Sequence, residues 1–171
     1  AVTDDARMGR LLTPRVLDNG RVLVESYQSI ARTIRDEQAI TPAAEWFVDN
    51  FHIVDEQLRE IIDDLPPGYY RQLPKLASGH LQNYPRVFGV AWAFVAHTDS
   101  RFDPDMLRRF VVAYQRVQPL TIGELWAVAI SLRVVLVENL RRLAERIVHS
   151  RKARLEADEL ADRLLGSGAL A

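Results

Sequence analysis

The chain has 171 residues, 48% hydrophobic and 26% charged, with 22 Lys+Arg against 23 Asp+Glu. That is the length and balance of one helical or mixed globular domain with a sizeable core, and the formal charge of −1 gives no general attraction to nucleic acid or to an anionic membrane. The absence of cysteine excludes disulfides, thiol nucleophiles and thiolate metal sites, while the longest nearly uncharged run, 125–137, already holds Arg133 and falls far short of the roughly 20 apolar residues of a membrane span.

The chain opens on Ala1 rather than Met, as a piece excised from something longer would, and carries no charged-then-apolar leader. The first helix is expected at Thr13-Pro14, a capping hydroxyl followed by a proline whose missing donor costs nothing in the first turn. Val16, Leu23, Tyr27, Ile30 and Ile34 supply its inner face, Asn19-Gly20 suggests a fray or kink, and the helix ends near Ala39. Thr41-Pro42 repeats the device, with Glu45 in the first turn where the helix dipole favours an anion, and the second helix runs to about Asp64 on a stripe of Phe47, Phe51, Val54, Leu58 and Ile61. Leu65-Pro66-Pro67-Gly68 then cannot continue a helix, so a long loop begins, carrying Tyr69, Tyr70 and Arg71.

A third helix follows Asn83-Tyr84-Pro85, apolar nearly all round through Val87, Phe88, Val90, Trp92 and Phe94, and ends near Asp99; Asp103 caps a fourth, which Gln118-Pro119 stops. The central helix is expected at Thr121, where Glu124 three residues on completes a capping box and Leu120 with Leu125 closes a hydrophobic staple. Leu125, Ala129, Leu132, Leu136, Leu143 and Ile147 form one stripe, and Trp126, Ile130, Val137, Leu140 and Ala144 a second, so both flanks should be packed. No segment shows clean period-two alternation. The expectation is an all-α bundle of about five or six helices in a single domain over 1–171, with Trp92, Leu132 and Leu136 in its core.

Residue types that carry chemistry are few. Asp103-Pro104-Asp105 has the Asp-x-Asp spacing of many glycosyltransferases, but it starts a helix here instead of following a strand, and capping accounts for it. Asp49 and His52 stand three apart, as in di-metal bundles, without the second copy such sites require. His97 and Asp99 make no nucleophile-and-base spacing. Physical reading therefore assigns no catalytic residue, metal or cofactor. Charge is uneven: acids crowd the second helix, and Arg141, Arg142, Arg146, Arg151, Lys152 and Arg154 gather late in the chain, either as a solvated or helix-pairing face or as a basic cluster for a membrane surface.

Beyond physical chemistry, the words of the sequence are specific. Asp63-Asp64-Leu65-Pro66-Pro67-Gly68-Tyr69-Tyr70-Arg71-Gln72-Leu73-Pro74-Lys75-Leu76, then Tyr84-Pro85-Arg86-Val87-Phe88-Gly89, then Ala93-Phe94-Val95-Ala96-His97-Thr98-Asp99, then Tyr114-Gln115-Arg116-Val117-Gln118-Pro119-Leu120-Thr121-Ile122-Gly123-Glu124-Leu125-Trp126-Ala127 resemble, in order and spacing, the N-terminal part of bacterial cyclic β-1,2-glucan synthases. The resemblance spans residues 42–147. It implies a large inner-membrane enzyme that polymerises UDP-glucose, with this chain as a leading segment on the cytoplasmic face. The strand-borne Asp-x-Asp and the Gln-x-x-Arg-Trp motif of such catalytic parts are missing here, so no catalytic residue carries over. Two readings follow: a non-catalytic scaffold or regulatory module that docks on the remainder of the synthase, or a binder of sugar nucleotide or nascent glucan through Tyr69, Tyr70 and Arg71 with His97-Thr98-Asp99. Tyr69, Tyr70 and Arg71 are equally the residue types of a protein contact, and a loop this apolar either folds back to plug its own bundle or waits for a partner.

Overall fold

The computed structural model describes residues 2–3, 9–36, 39–99 and 101–168, with the backbone alone at 3 and 166–168. It is all-α in class. Eight helices follow one another among the described residues: α1 (Thr13–Arg35), α2 (Pro42–Asp49), α3 (Phe51–Asp63), α4 (Pro67–Gln72), α5 (Arg86–His97), α6 (Pro104–Val117), α7 (Ile122–Trp126) and α8 (Val128–Gly168). Among the described residues one sheet forms, a two-residue pairing of β1 (Val2–Thr3) antiparallel to β2 (Lys75–Leu76), with Val2 opposite Leu76.

The first half of α8 is the axis of the core, with α1 and α5 packed along it and α2 and α3 adding a third side. This is why Ile130, Leu132, Val134, Val135 and Val137 are all buried although they point in different directions: a helix covered from several sides is apolar nearly all round. Phe47, Ile61, Val87 and Phe88 close the space between these helices. Leu132 is buried as expected, while Leu136 and Trp92 are partly buried and lean on the core from its edge.

Several local expectations are corrected. Thr13 does not cap α1: it is the first helical residue, and buried Leu12 occupies the cap position without a side-chain bond. Asn19-Gly20 neither frays nor ends that helix, because buried Asn19 is held from α8, donating to Glu138 (3.4 Å) and accepting from Arg141 (3.1 Å). The helix ends at Arg35, short of Ala39. Thr41 caps α2 as anticipated, accepting from the Ala44 N–H at 3.3 Å. The expected single second helix is two, divided at Asn50, whose side-chain amide donates to the Trp46 carbonyl at 2.8 Å and so competes with the helical ladder. That break also separates Asp49 from His52, which lie on different helices with His52 exposed.

The expected loop at Pro66-Pro67-Gly68 is instead the entry to α4. Pro66 is extended at the cap position and Pro67 takes the first turn, where it needs no donor. Lys75 is buried behind α4 and donates from Nζ to the carbonyls of Arg71 (2.7 Å) and Leu73 (2.9 Å), satisfying the acceptors a helix C-terminus leaves open. Asp103 caps α6 through the N–H groups of Asp105 (2.8 Å) and Met106 (3.1 Å). No residue of α6 is fully buried; Met106, Leu107 and Phe110 rest on the core, with Phe110 5.5 Å from Phe94 between ring centroids. The capping box at Thr121 forms, but it opens the short α7, and the chain turns at Ala127 before the long helix begins at Val128. No helix among the described residues is long and apolar enough to cross a membrane.

Candidate functional site

The capping box at Thr121 places Glu124 on the third residue of α7, and the fold turns that residue inward. Glu124 is fully buried, and its carboxylate faces the guanidinium of Arg86 at the start of α5: Nε donates to Oε1 at 2.7 Å and Nη2 to Oε2 at 2.5 Å. Arg86 is 5% exposed and also donates to the Pro119 carbonyl at 3.0 Å. The same carboxylate takes the Thr121 N–H at 2.8 Å, so one residue closes a helix cap and a long-range ion pair together. Below, Tyr69 of α4 donates from its hydroxyl to the Gly123 carbonyl. Gly123 admits this approach: a Cβ there would meet Leu73 Cδ2 at 3.3 Å and the Tyr69 hydroxyl at 3.6 Å.

The consequence is a helix built inside out. Its inner face is a charged clamp, and its outer face is apolar: Ile122 is 73% exposed, Trp126 79% and Leu125 38%, with Val117 88% exposed just before the turn. Ile122, Leu125 and Trp126 stand at i, i+3 and i+4, the spacing of neighbours on one helix surface. Leu125 and Trp126, expected to head the two core stripes, are therefore surface residues. The clamp explains the difference, since burying Glu124 rotates its neighbours outward. Sequence reasoning did not single out Arg86, although a signal was there: it is the sole charge in an otherwise apolar stretch, 84–95, and a charged side chain carried inside by such a stretch needs a partner.

Tyr69, Tyr70 and Arg71 fall on α4. Tyr70 is 4% exposed, burial pushes its phenol well above the ordinary range, and its ring meets that of Tyr69 edge-on with centroids 5.1 Å apart. Burial, then the charge of Glu124, raises Tyr69 as well. Both rings are thus taken up within the fold, and of the three only Arg71 is exposed. His97 and Asp99 lie exposed at the end of α5. Tyr69 meets the turn of α7 at Gly123, beside the Arg86 end of α5, whereas His97 stands at the opposite end of that helix.

A second feature is an open groove of about 960 Å³ between the end of α1, α2 and the middle of α8, floored by Ile30, Phe47, Ile147 and Ala144 and edged by Arg146 and Arg154. The basic residues of α8 divide. Arg141 donates to Asp18 (2.8 Å) and Asn19 on α1, Arg142 meets Asn139, and Lys152 stands 3.8 Å from Glu156. Nearby, Arg15 of α1 forms an ion pair with Glu138, Nη2 to Oε2 at 3.0 Å, and lies over the Tyr84 and Phe88 rings. Among the described residues no group of three or more His, Cys, Asp or Glu could hold a metal ion.

No family model matches the chain. Over 149 residues, 86% of its length, it is 42% identical to the cyclic beta-(1,2)-glucan synthase NdvB of Rhizobium meliloti (strain 1021), a protein so much larger that the match spans 5% of it. The similarity extends well past residues 42–147, where the resemblance was read. The chain is thus related, along most of its length, to one short segment of a cyclic β-(1,2)-glucan synthase.

Proposed function

We propose that this chain is a non-catalytic helical module of a cyclic β-1,2-glucan synthase, the leading segment on the cytoplasmic face of the membrane, which docks on the remainder of the enzyme to assemble or gate it. The observation that carries this reading is the inside-out α7. Exposed Ile122 and Trp126 cost solvation in the isolated chain, and the fold fixes them there with a buried ion pair. Exposed apolar side chains side by side on one helix face, with an aromatic anchor among them, are the arrangement protein contacts use. The relationship to a synthase segment supplies the partner: the rest of that polypeptide. No side chain is assigned a step in glucosyl transfer.

Replacing Ile122 and Trp126 together by serine in the full synthase tests the proposal. Because both side chains are mostly exposed, the double variant should leave melting of the chain within about 0.5 kcal/mol of the parent. Cyclic glucan output or the stability of the assembled enzyme should fall. Unchanged output and unchanged assembly would refute it.

A further inference from the structure

The walls of the groove between α1, α2 and α8 leave large apolar side chains in water. Trp46 of α2 is 58% exposed, and Leu143 and Leu155 of α8 are 53% and 43% exposed, all of them lining it. Beneath them the floor is hydrocarbon, from Ile30 and Phe47 to Ala144 and Ile147. Exposed apolar surface gathered in one place marks a binding site. The volume of about 960 Å³ lies at the upper end of the range for one small ligand, roughly 300–1,000 Å³. No residue of α7 lines the groove, so it is separate from the face that carries the docking proposal.

The polar residues on its edge say what the ligand carries. Arg146, Ser150 and Arg154 all line the groove and follow one another at four-residue steps on α8, a single row along one rim. A helical turn rises about 5.4 Å, so a group seated over Ser150 has a guanidinium about one turn away on either side and a hydroxyl donor beneath it. Neither Arg146 nor Arg154 makes a hydrogen bond or ion pair among the described residues. Asp158 continues the row one turn further and forms no ion pair with Arg154, while Arg151, also on the groove, already has a partner. Two guanidinium groups match a carboxylate in charge and in donor geometry. A hydrocarbon tail brings no polar group to an apolar floor, so nothing on it is left unpaired. We propose that the groove binds a single-chain anionic amphiphile, a long-chain fatty acid whose tail lies on Ile30, Phe47 and Ile147 and whose carboxylate sits over Ser150 between Arg146 and Arg154.

Isothermal titration of the 171-residue chain with decanoate, below its micelle concentration, tests this. Binding should saturate at one site with a Kd on the order of 100 μM, and 1-decanol and inorganic phosphate, which carry the tail or the charge alone, should each bind at least about tenfold more weakly. Arg146→Gln with Arg154→Gln should weaken decanoate by about tenfold or more, and so should Leu143→Asp, which sets a like charge against the ligand on the groove wall. All three side chains are exposed, so helical circular dichroism should not change. Arg108→Gln with Arg109→Gln, exposed on α6, should leave the affinity as it is. No saturable binding to the parent chain would overturn the proposal, as would 1-decanol or phosphate binding as tightly as decanoate, or full affinity in the groove variants. Binding to phosphatidylglycerol vesicles without binding to decanoate would overturn it too, and would turn the two arginines to a membrane surface instead.

Discussion

Arg86 and Glu124 stand 38 residues apart in the chain and meet in a two-bond pair, 2.7 and 2.5 Å, with Glu124 fully buried. The pair joins α5 to α7, and through the cap at Thr121 it also fixes where α7 begins. Glutamine keeps the shape and the capping capacity of Glu124 but removes its charge. Glu124→Gln should therefore cost about 3–5 kcal/mol, chiefly because the Arg86 charge stays buried without its carboxylate. Adding Arg86→Met should recover a large part of that loss. Urea midpoints of the four chains give the coupling, and strict additivity would show that the two residues do not act as a unit.

Ser131 makes the opposite case. It is fully buried on α8, and its hydroxyl has no hydrogen-bond partner among the described residues. A buried hydroxyl left unmade costs about 1–3 kcal/mol, and alanine is also the better helix former. Ser131→Ala should raise the unfolding free energy by about 1 kcal/mol. A loss of stability in thermal or urea unfolding would show that the hydroxyl is satisfied.

Alkaline pH probes α4. Burial lifts the phenol of Tyr70 above its ordinary range, whereas in the unfolded chain it ionises near about pH 10. Above that pH the unfolded chain gives up a proton that the folded chain keeps, so the contribution of this group is intact below about pH 10 and falls as pH rises further. Tyr70→Phe removes the ionisable group. Its urea midpoint should decline less steeply than the parent's between about pH 9 and about pH 11. Equal slopes would place the Tyr70 hydroxyl in water.

Local rules read well where one stretch of chain decides the outcome. The caps at Thr41, Asp103 and Thr121 and the helical class follow from spacing alone. The apolar density around Leu132 and Val135 announces a helix covered from several sides. What spacing does not carry is the choice between equally apolar faces. Leu125 and Trp126 fit a core stripe by period, and only the pairing of Glu124 with a residue on α5 turns them outward. A contact of that separation leaves no local mark except a lone charge, Arg86, among apolar neighbours. The double proline before Gly68 was misleading for another reason. Proline ends the helix before it, yet it is well suited to the first turn of the next, and α4 takes that second use.

Docking requires the outer face of α7 to be covered in the whole enzyme, and the indole of Trp126 reports on that directly. At 79% exposure in this chain it should oxidise readily in hydroxyl-radical footprinting of the isolated protein. In the full synthase its oxidation rate should fall severalfold, while exposed Trp46, at 58% on α2, serves as the internal reference. Protection of Trp126 relative to Trp46 is the predicted result. Equal oxidation of Trp126 in the isolated chain and in the intact synthase would contradict docking through α7.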